Sequence, residues 1–141
     1  IIIELIKILL YLVIHGSSTG GVGDLANFIL GCSFVVPAVL IYKKQKSKKG
    51  AIIGMSIGTL SLIIFGSILN AFFLLPFYAN VFHMPMDSLV AMGTSINPAI
   101  HDMTTFIMLA VAPFNLLKGL LVSVITILIY KKVSPILHNK I

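Results

Sequence analysis

The chain has 141 residues, of which 58% are hydrophobic and only 10% are charged, and its formal net charge is +6. A soluble domain of this length needs a far larger charged surface, so the composition argues against a soluble protein and favours one embedded in lipid. The ten basic residues are all lysines, and most of them cluster just after apolar segments instead of coating one face, which argues against nucleic-acid binding. With a single cysteine, Cys32, the chain has no internal disulfide.

The first two apolar segments are 1–14 and 25–42. As a helix, segment 1–14 would reach only about 21 Å, short of the roughly 30 Å hydrocarbon core, and it begins without a polar flank. We therefore predict that it is the later part of a membrane span and that the chain is N-terminally incomplete. Segment 25–42 is uncharged and follows a glycine-rich loop, 16–23, with Asp24 in the position of a helix N-cap.

The third predicted span is segment 51–75, which is also uncharged. Gly54 and Gly58 form a small-xxx-small pair, a pattern that lets a neighbouring helix approach closely. Pro76 follows, and we expect it to end this helix.

The last predicted span is segment 104–130, reached through a long connection, 79–103. We expect short helical turns inside this connection, around 86–92, and we expect Pro113 to interrupt the last span. The fold class is therefore all-α, a polytopic transmembrane helix bundle, with residues 1–141 forming a single transmembrane domain.

Charge distribution predicts the orientation of this bundle in a cell membrane. Lysines crowd the loop 43–49 and recur in the tail 131–141, and the two clusters are separated by two spans. Since positively charged loops are retained in the cytoplasm, both lysine clusters are predicted to be cytoplasmic. Loops 16–23 and 79–103 are then outside.

Lys118 lies roughly halfway along the last span, where an ammonium group costs about 2.5–3.5 kcal/mol on insertion scales. Asn115 precedes it by three residues and shares its helix face, and Pro113 removes a backbone donor nearby. Together these residues predict a polar notch that opens toward the outside.

Other spans carry polar residues toward the same side: Asn70 near the outer end of the third, and Asn27 and Asp24 near that of the second. Their convergence predicts a pocket open to the outside, suited to a flat heteroaromatic ligand. The remaining wall is predicted to be aromatic, formed by Phe72, Phe73, Phe77, Tyr78 and Phe114. Each polar residue also has a structural interpretation: interhelical hydrogen bonding for the asparagines, N-capping for Asp24 and snorkelling for Lys118.

Sequence motifs of enzymes are missing from the chain. It has no phosphate loop ending in Gly-Lys-Ser/Thr and no His-Glu-x-x-His, and its histidines lack metal-ligand spacing. We therefore predict a protein that is not an enzyme and that has neither cofactor nor metal. A structural membrane subunit without a small ligand remains an alternative.

Three runs of residues resemble one known family, the riboflavin-specific S components of energy-coupling factor vitamin transporters. They are Gly23-Asp24-Leu25-Ala26-Asn27-Phe28, then Leu69-Asn70-Ala71-Phe72-Phe73-Leu74-Leu75-Pro76-Phe77-Tyr78, and Ala112-Pro113-Phe114-Asn115-Leu116-Leu117-Lys118-Gly119. The resemblance extends over nearly the whole chain in the same order, and the Pro-Phe-Asn-x-x-Lys-Gly run is its most specific part.

The resemblance implies a six-helix fold, of which this chain holds part of helix three through helix six. It also implies riboflavin capture from the outside and delivery into the cell by an assembly with a transmembrane coupling subunit and a pair of ATPase subunits. The riboflavin-binding residues that it implies are Asn115 and Lys118 on the polar edge of the isoalloxazine ring, Asn70 beside them, Asp24 and Gly23 on the ribityl hydroxyls, and also Tyr78 and Asn27. An S component for another vitamin, such as thiamine or a pyridoxine, is the nearest alternative.

Overall fold

The computed structural model describes residues 2–15, 21–83 and 85–138, and every secondary-structure element in them is helical. The helices are α1 (Ile2–His15), α2 (Val22–Lys44), α3 (Lys48–Leu69), α4 (Leu75–Val81), α5 (Met86–Ile96), α6 (Met103–Phe106) and α7 (Ala112–His138). A first π-helical turn (Asn70–Leu74) joins α3 to α4, and a second (Ile107–Val111) joins α6 to α7. The predicted all-α fold is confirmed, while most of the predicted loop 16–23 lies outside the described residues.

Three helical stretches are long and apolar enough to cross a membrane: Val22–Lys44, Lys48–Val81 and Met103–Tyr130, with 23, 34 and 28 residues. At about 1.5 Å per residue, each exceeds the roughly 30 Å hydrocarbon core. In the most apolar 18-residue segment of each stretch, only 17%, 33% and 11% of the residues, respectively, are buried. Most of the apolar side chains therefore face outward. Lipid is the solvent that suits such surfaces, and the protein is a multi-pass membrane protein, as predicted.

The prediction that Pro76 ends the third span is wrong. The helix runs on through the first π turn into α4 and reaches Val81. Within the π turn the backbone N–H of Leu75 donates to the carbonyl of Asn70, five residues back. This wider turn ends at Leu74, one residue before Leu75 and Pro76, and the helix continues through Pro76 although the proline has no backbone N–H to donate.

The second π turn has the same relation to Pro113. The N–H of Ala112 donates to the carbonyl of Ile107, and the helix then continues as α7. The last span therefore begins at Met103 and is not broken at the proline. In the connection before it, helix α5 confirms the helical turns predicted around 86–92.

The seam between α2 and α3 is closed by the predicted glycine pair. A Cβ placed at Gly54 would lie 2.7 Å from the carbonyl oxygen of Ala38, and one at Gly58 would lie 2.6 Å from that of Phe34. Only glycine permits this approach. The small buried core beside it consists of Leu30, Phe34, Met55 and Leu62.

Helix α3 also packs against α7, through a neighbouring face. Here Gly119 meets the side chain of Thr59, which is buried and donates its hydroxyl proton to the carbonyl of Met55 at 2.9 Å. Nearer the lysine end, the hydroxyls of Tyr42 and Tyr130 lie 3.0 Å apart and tie α2 to α7. Helix α3 therefore packs against both α2 and α7, which also contact each other, and the polar residues of the three lie toward the same end.

The two ends of the bundle differ in charge. Lys43 and Lys44 close α2, and Ser47 caps α3 by accepting from the N–H of Gly50 at 3.0 Å. At the other end, Asp102 caps α6 by accepting from the N–H of Thr105 at 2.6 Å. This backbone N–H, with the Thr105 hydroxyl, holds the pKa of the Asp102 carboxyl below its usual value.

Candidate functional site

A cavity of about 490 Å³ lies at the end of the bundle opposite the lysine turn. Its walls come from the start of α2, from the first π turn with α4, and from the second π turn with α7. It is lined by Gly23, Ala26, Asn27, Leu30, Asn70, Leu74, Leu75, Tyr78, Phe106, Ala110, Val111, Phe114, Asn115 and Lys118. Its volume is within the range of small-molecule sites, roughly 300–1,000 Å³.

Lys118 enters the cavity from α7 and is half-buried. Its ammonium Nζ donates a hydrogen bond to Oδ1 of Asn27 on α2 at 3.2 Å. One amide oxygen satisfies one of the three ammonium protons, which leaves donors for a ligand. Asn27 thereby contributes to the site by holding the lysine, a relation that the linear sequence did not indicate.

Asn115 lies one helical turn before Lys118 and is only 2% exposed, although it lines the cavity. No described side-chain polar atom is both fully buried and without a hydrogen-bond partner, so the Asn115 amide, which has no hydrogen bond to another described side chain, reaches the cavity. An amide at the cavity wall presents two donors and two acceptor lone pairs to whatever the cavity holds. The cavity is therefore suited to a ligand with a complementary polar edge.

Asn70 is the first residue of the first π turn and faces the same cavity. Its Nδ2 donates to the carbonyl of Gly66 at 2.8 Å. With its amino group engaged in this bond, Oδ1 is the atom that remains to accept from a ligand.

The aromatic wall differs from the one predicted. Tyr78 and Phe114 line the cavity together with Phe106, which was not among the predicted wall residues. Phe72, Phe73 and Phe77 do not line it; Phe72 is 80% exposed, and Phe73 stacks on Phe77 with ring centroids 6.3 Å apart. Phe72 and Phe73 lie inside the π turn, where the side-chain directions expected for an α-helix no longer hold.

Asp24 lies beside the cavity and does not line it. Its expected role as N-cap is wrong, because α2 begins at Val22 after Gly21, and Asp24 lies within the first turn. Gly21 has a φ of 82°, a left-handed conformation that glycine adopts without strain. A carboxylate in the first turn still interacts favourably with the helix dipole.

Another cavity, of about 650 Å³, lies between α5 and the second π turn. Asn97 is the single polar side chain among the residues that line it. Among the described residues, no group of three histidine, cysteine or acidic side chains is placed to hold a metal ion. In the cavity around Lys118, by contrast, polar side chains from α2, the first π turn and α7 meet.

Comparison with known proteins gives a consistent result. The family model of the substrate-specific component of ECF transporters matches residues 1–130. The chain is 35% identical over 136 residues to the riboflavin transporter FmnP of Bacillus subtilis (strain 168), and 36% identical over 140 residues to the riboflavin transporter RibU of Staphylococcus aureus (strain TCH60). A third relative, RibU of Streptococcus thermophilus, is 28% identical over 134 residues.

These alignments cover 96%, 99% and 94% of this chain, but 66%, 66% and 58% of the respective relatives. The chain thus spans about two thirds of the length of the first two relatives and less of the third. No solved structure gives a significant match.

Proposed function

We propose that this chain, which belongs to the family of substrate-specific components of ECF transporters, captures riboflavin from outside the cell for uptake by an ATP-driven transporter. The observation that carries this proposal is one cavity lined by the Lys118 ammonium and by the amides of Asn115, Asn70 and Asn27. Two relatives about 35% identical to it bear the name riboflavin transporter, which supports this choice of ligand.

The chemistry of the cavity fits the polar edge of an isoalloxazine ring, which alternates carbonyl oxygens with an N–H group. The Lys118 ammonium donates to a carbonyl oxygen, a charge-assisted bond, and the Asn115 amide both donates and accepts. The Asn70 Oδ1 accepts from the ring N–H, since its Nδ2 already donates to Gly66.

The rest of the ligand is assigned to the apolar walls and to the start of α2. Tyr78 and Phe114 offer aromatic surfaces for the flat ring system. Gly23 lines the cavity at the first turn of α2, and Asp24 follows it, so we assign the ribityl hydroxyls to this turn. Asn27 orients the Lys118 ammonium toward the ring edge.

The remaining parts of the transport cycle are assigned to partners. The chain has no phosphate-binding loop, so the free energy of ATP hydrolysis must come from other subunits. We propose that it associates with a transmembrane coupling subunit and a pair of ATPase subunits, the energising module that the family name implies.

The decisive experiment titrates riboflavin into the purified full-length protein and measures the quenching of flavin fluorescence. We expect saturable binding with a Kd at or below the micromolar range, and no competition by thiamine or pyridoxine. Absence of quenching at micromolar concentrations would refute the proposal, and displacement by another vitamin would reassign the ligand within the same family.

A further inference from the structure

Gly66 lies on α3 directly behind the cavity and is not part of its lining. It continues the i+4 stripe of Gly54 and Gly58, but those two glycines approach α2, whereas Gly66 approaches α7. The space left by its missing side chain is filled by one group, the side-chain amide of Asn115.

The contact between Gly66 and Asn115 leaves no room for a methyl group. A Cβ placed at Gly66 would lie 2.9 Å from Cγ of Asn115 and 3.3 Å from its Oδ1, and it would collide with Nδ2. Because Asn115 is 2% exposed and lines the cavity, we expect its amide to give way toward the cavity, the open space beside it.

The carbonyl group of the same glycine orients the second amide of the site. It accepts the 2.8 Å bond from Nδ2 of Asn70, so Asn70 turns its Oδ1 away from α3. Gly66, which does not line the cavity, therefore determines how far the Asn115 amide extends toward the cavity and how the Asn70 amide is rotated.

We infer that Gly66 is a positioning residue: it determines where the amides of Asn115 and Asn70 lie, and thereby how well they hydrogen-bond to the polar edge of the ligand's ring. The inference rests on the proposed function, since it names riboflavin as the ligand whose polar edge meets Asn115 and Asn70. A methyl group at position 66 pushes the Asn115 amide toward the ligand and spoils its hydrogen-bond geometry, while the cavity walls remain in place. The defect is thus one of recognition and acts through Asn115.

A double-mutant cycle tests this route in the full-length protein. Gly66→Ala is expected to weaken riboflavin binding at least about tenfold, the loss of one well-formed hydrogen bond. Asn115→Ala removes the amide with which the new methyl group collides. In that background Gly66→Ala should change the Kd by less than about twofold. If the two substitutions instead raise the Kd independently, so that their effects multiply in the double mutant, the inference is overturned. Wild-type affinity in Gly66→Ala would also overturn it.

Gly119→Ala is the matched control, because it adds the same methyl group to the same α3–α7 seam, against the side chain of Thr59 and away from both amides. We expect it to lower the melting temperature while leaving the riboflavin Kd within about twofold. An equal loss of affinity in Gly119→Ala and Gly66→Ala would show that helix spacing alone is responsible and would overturn the inference. If Gly66→Ala does not fold, folding restored by Asn115→Ala supports the contact, and continued misfolding overturns it.

The ratio of the affinities for two ligands gives a further test, because a loss of protein stability alone would not change it. A riboflavin analogue methylated at the ring N3 cannot present its N–H, so the wild-type protein should prefer riboflavin over it. In Gly66→Ala this preference should shrink by at least about fivefold, because the displaced Asn115 amide pushes the ring edge away from the Asn70 Oδ1 that accepts from this N–H. An unchanged preference overturns the inference. Wild-type protein that binds no riboflavin refutes the proposed function instead, which keeps the two failures distinct.

Discussion

Lys118 carries the only charge in the described part of the last membrane span before the lysines that close it, and the structure shows how that charge is accommodated. Its ammonium is bonded to Asn27 and borders a cavity that lies toward the end of the bundle. A lysine held in this way faces water or a ligand and not lipid, which lowers the roughly 2.5–3.5 kcal/mol cost of the charge in the membrane. This arrangement supports the proposed ligand site over the alternative of snorkelling.

Lys118→Met tests this role, because methionine keeps much of the length of lysine and removes the ammonium. We expect riboflavin binding to weaken by at least about 1.5 kcal/mol, or roughly tenfold in Kd, through loss of a charge-assisted hydrogen bond. Flavin fluorescence quenching measures the change. Lys48→Met at the opposite end of the bundle serves as the matched control and should bind as the wild type does. Equal affinity in both variants would remove Lys118 from the site.

At the scale of helices, the two π turns determine how side chains are aimed into the cavity. Each ends shortly before a proline, Pro76 or Pro113, and each contributes residues to the cavity wall. A π turn inserts one extra residue into the helix, which rotates the later residues by about 100° relative to a regular helix. The register that brings Phe106 and Asn115 to one cavity therefore depends on the second π turn.

Pro113→Ala is expected to disturb this register. Alanine restores a backbone N–H that can donate to the carbonyl four residues earlier, and this favours a regular α-helix over the π turn. We expect the riboflavin Kd to rise by at least about threefold, as Phe106 rotates away from Asn115. Pro37→Ala is the control, since Pro37 lies inside α2 and does not line the cavity. Unchanged affinity in Pro113→Ala would mean that the register does not depend on the proline.

The π turns also explain which features could be predicted from the sequence and which could not. The spans follow from hydropathy alone, and the Gly54–Gly58 contact follows from its spacing, so both were predictable. The continuation of the helix past Pro76 could not be predicted. A proline without a backbone N–H usually ends a helix, and the amino-acid composition gives no sign of the π turn that allows this helix to continue. The same turn changes which side chains share a face, so Phe72 and Phe73 were wrongly assigned to the cavity wall.

Across the whole molecule, the lysine cluster and the cavity lie at opposite ends of the bundle. Lys43, Lys44 and Lys48 surround the short turn between α2 and α3, whereas Asp24, Asp87 and Asp102 lie toward the end that holds the cavity. The depth of Asn70, Asn115 and Lys118 in their spans predicted this shared end correctly. The pairing of Lys118 with Asn27 was not predictable, because it depends on the rotation of α2 about its axis.

This segregation predicts the orientation of the protein, which cysteine labelling in intact cells can measure. In a Cys32→Ala background, Lys46→Cys and Asp87→Cys each place one exposed thiol at an opposite end of the bundle. Since positively charged loops stay in the cytoplasm, we expect a membrane-impermeant maleimide to label Asp87→Cys in intact cells and Lys46→Cys only after permeabilisation. The Cys32→Ala parent should stay unlabelled in both conditions. Labelling of Lys46→Cys in intact cells would mean that the cavity faces the cytoplasm. Such a cavity could not capture riboflavin from outside, and the proposed function would be contradicted.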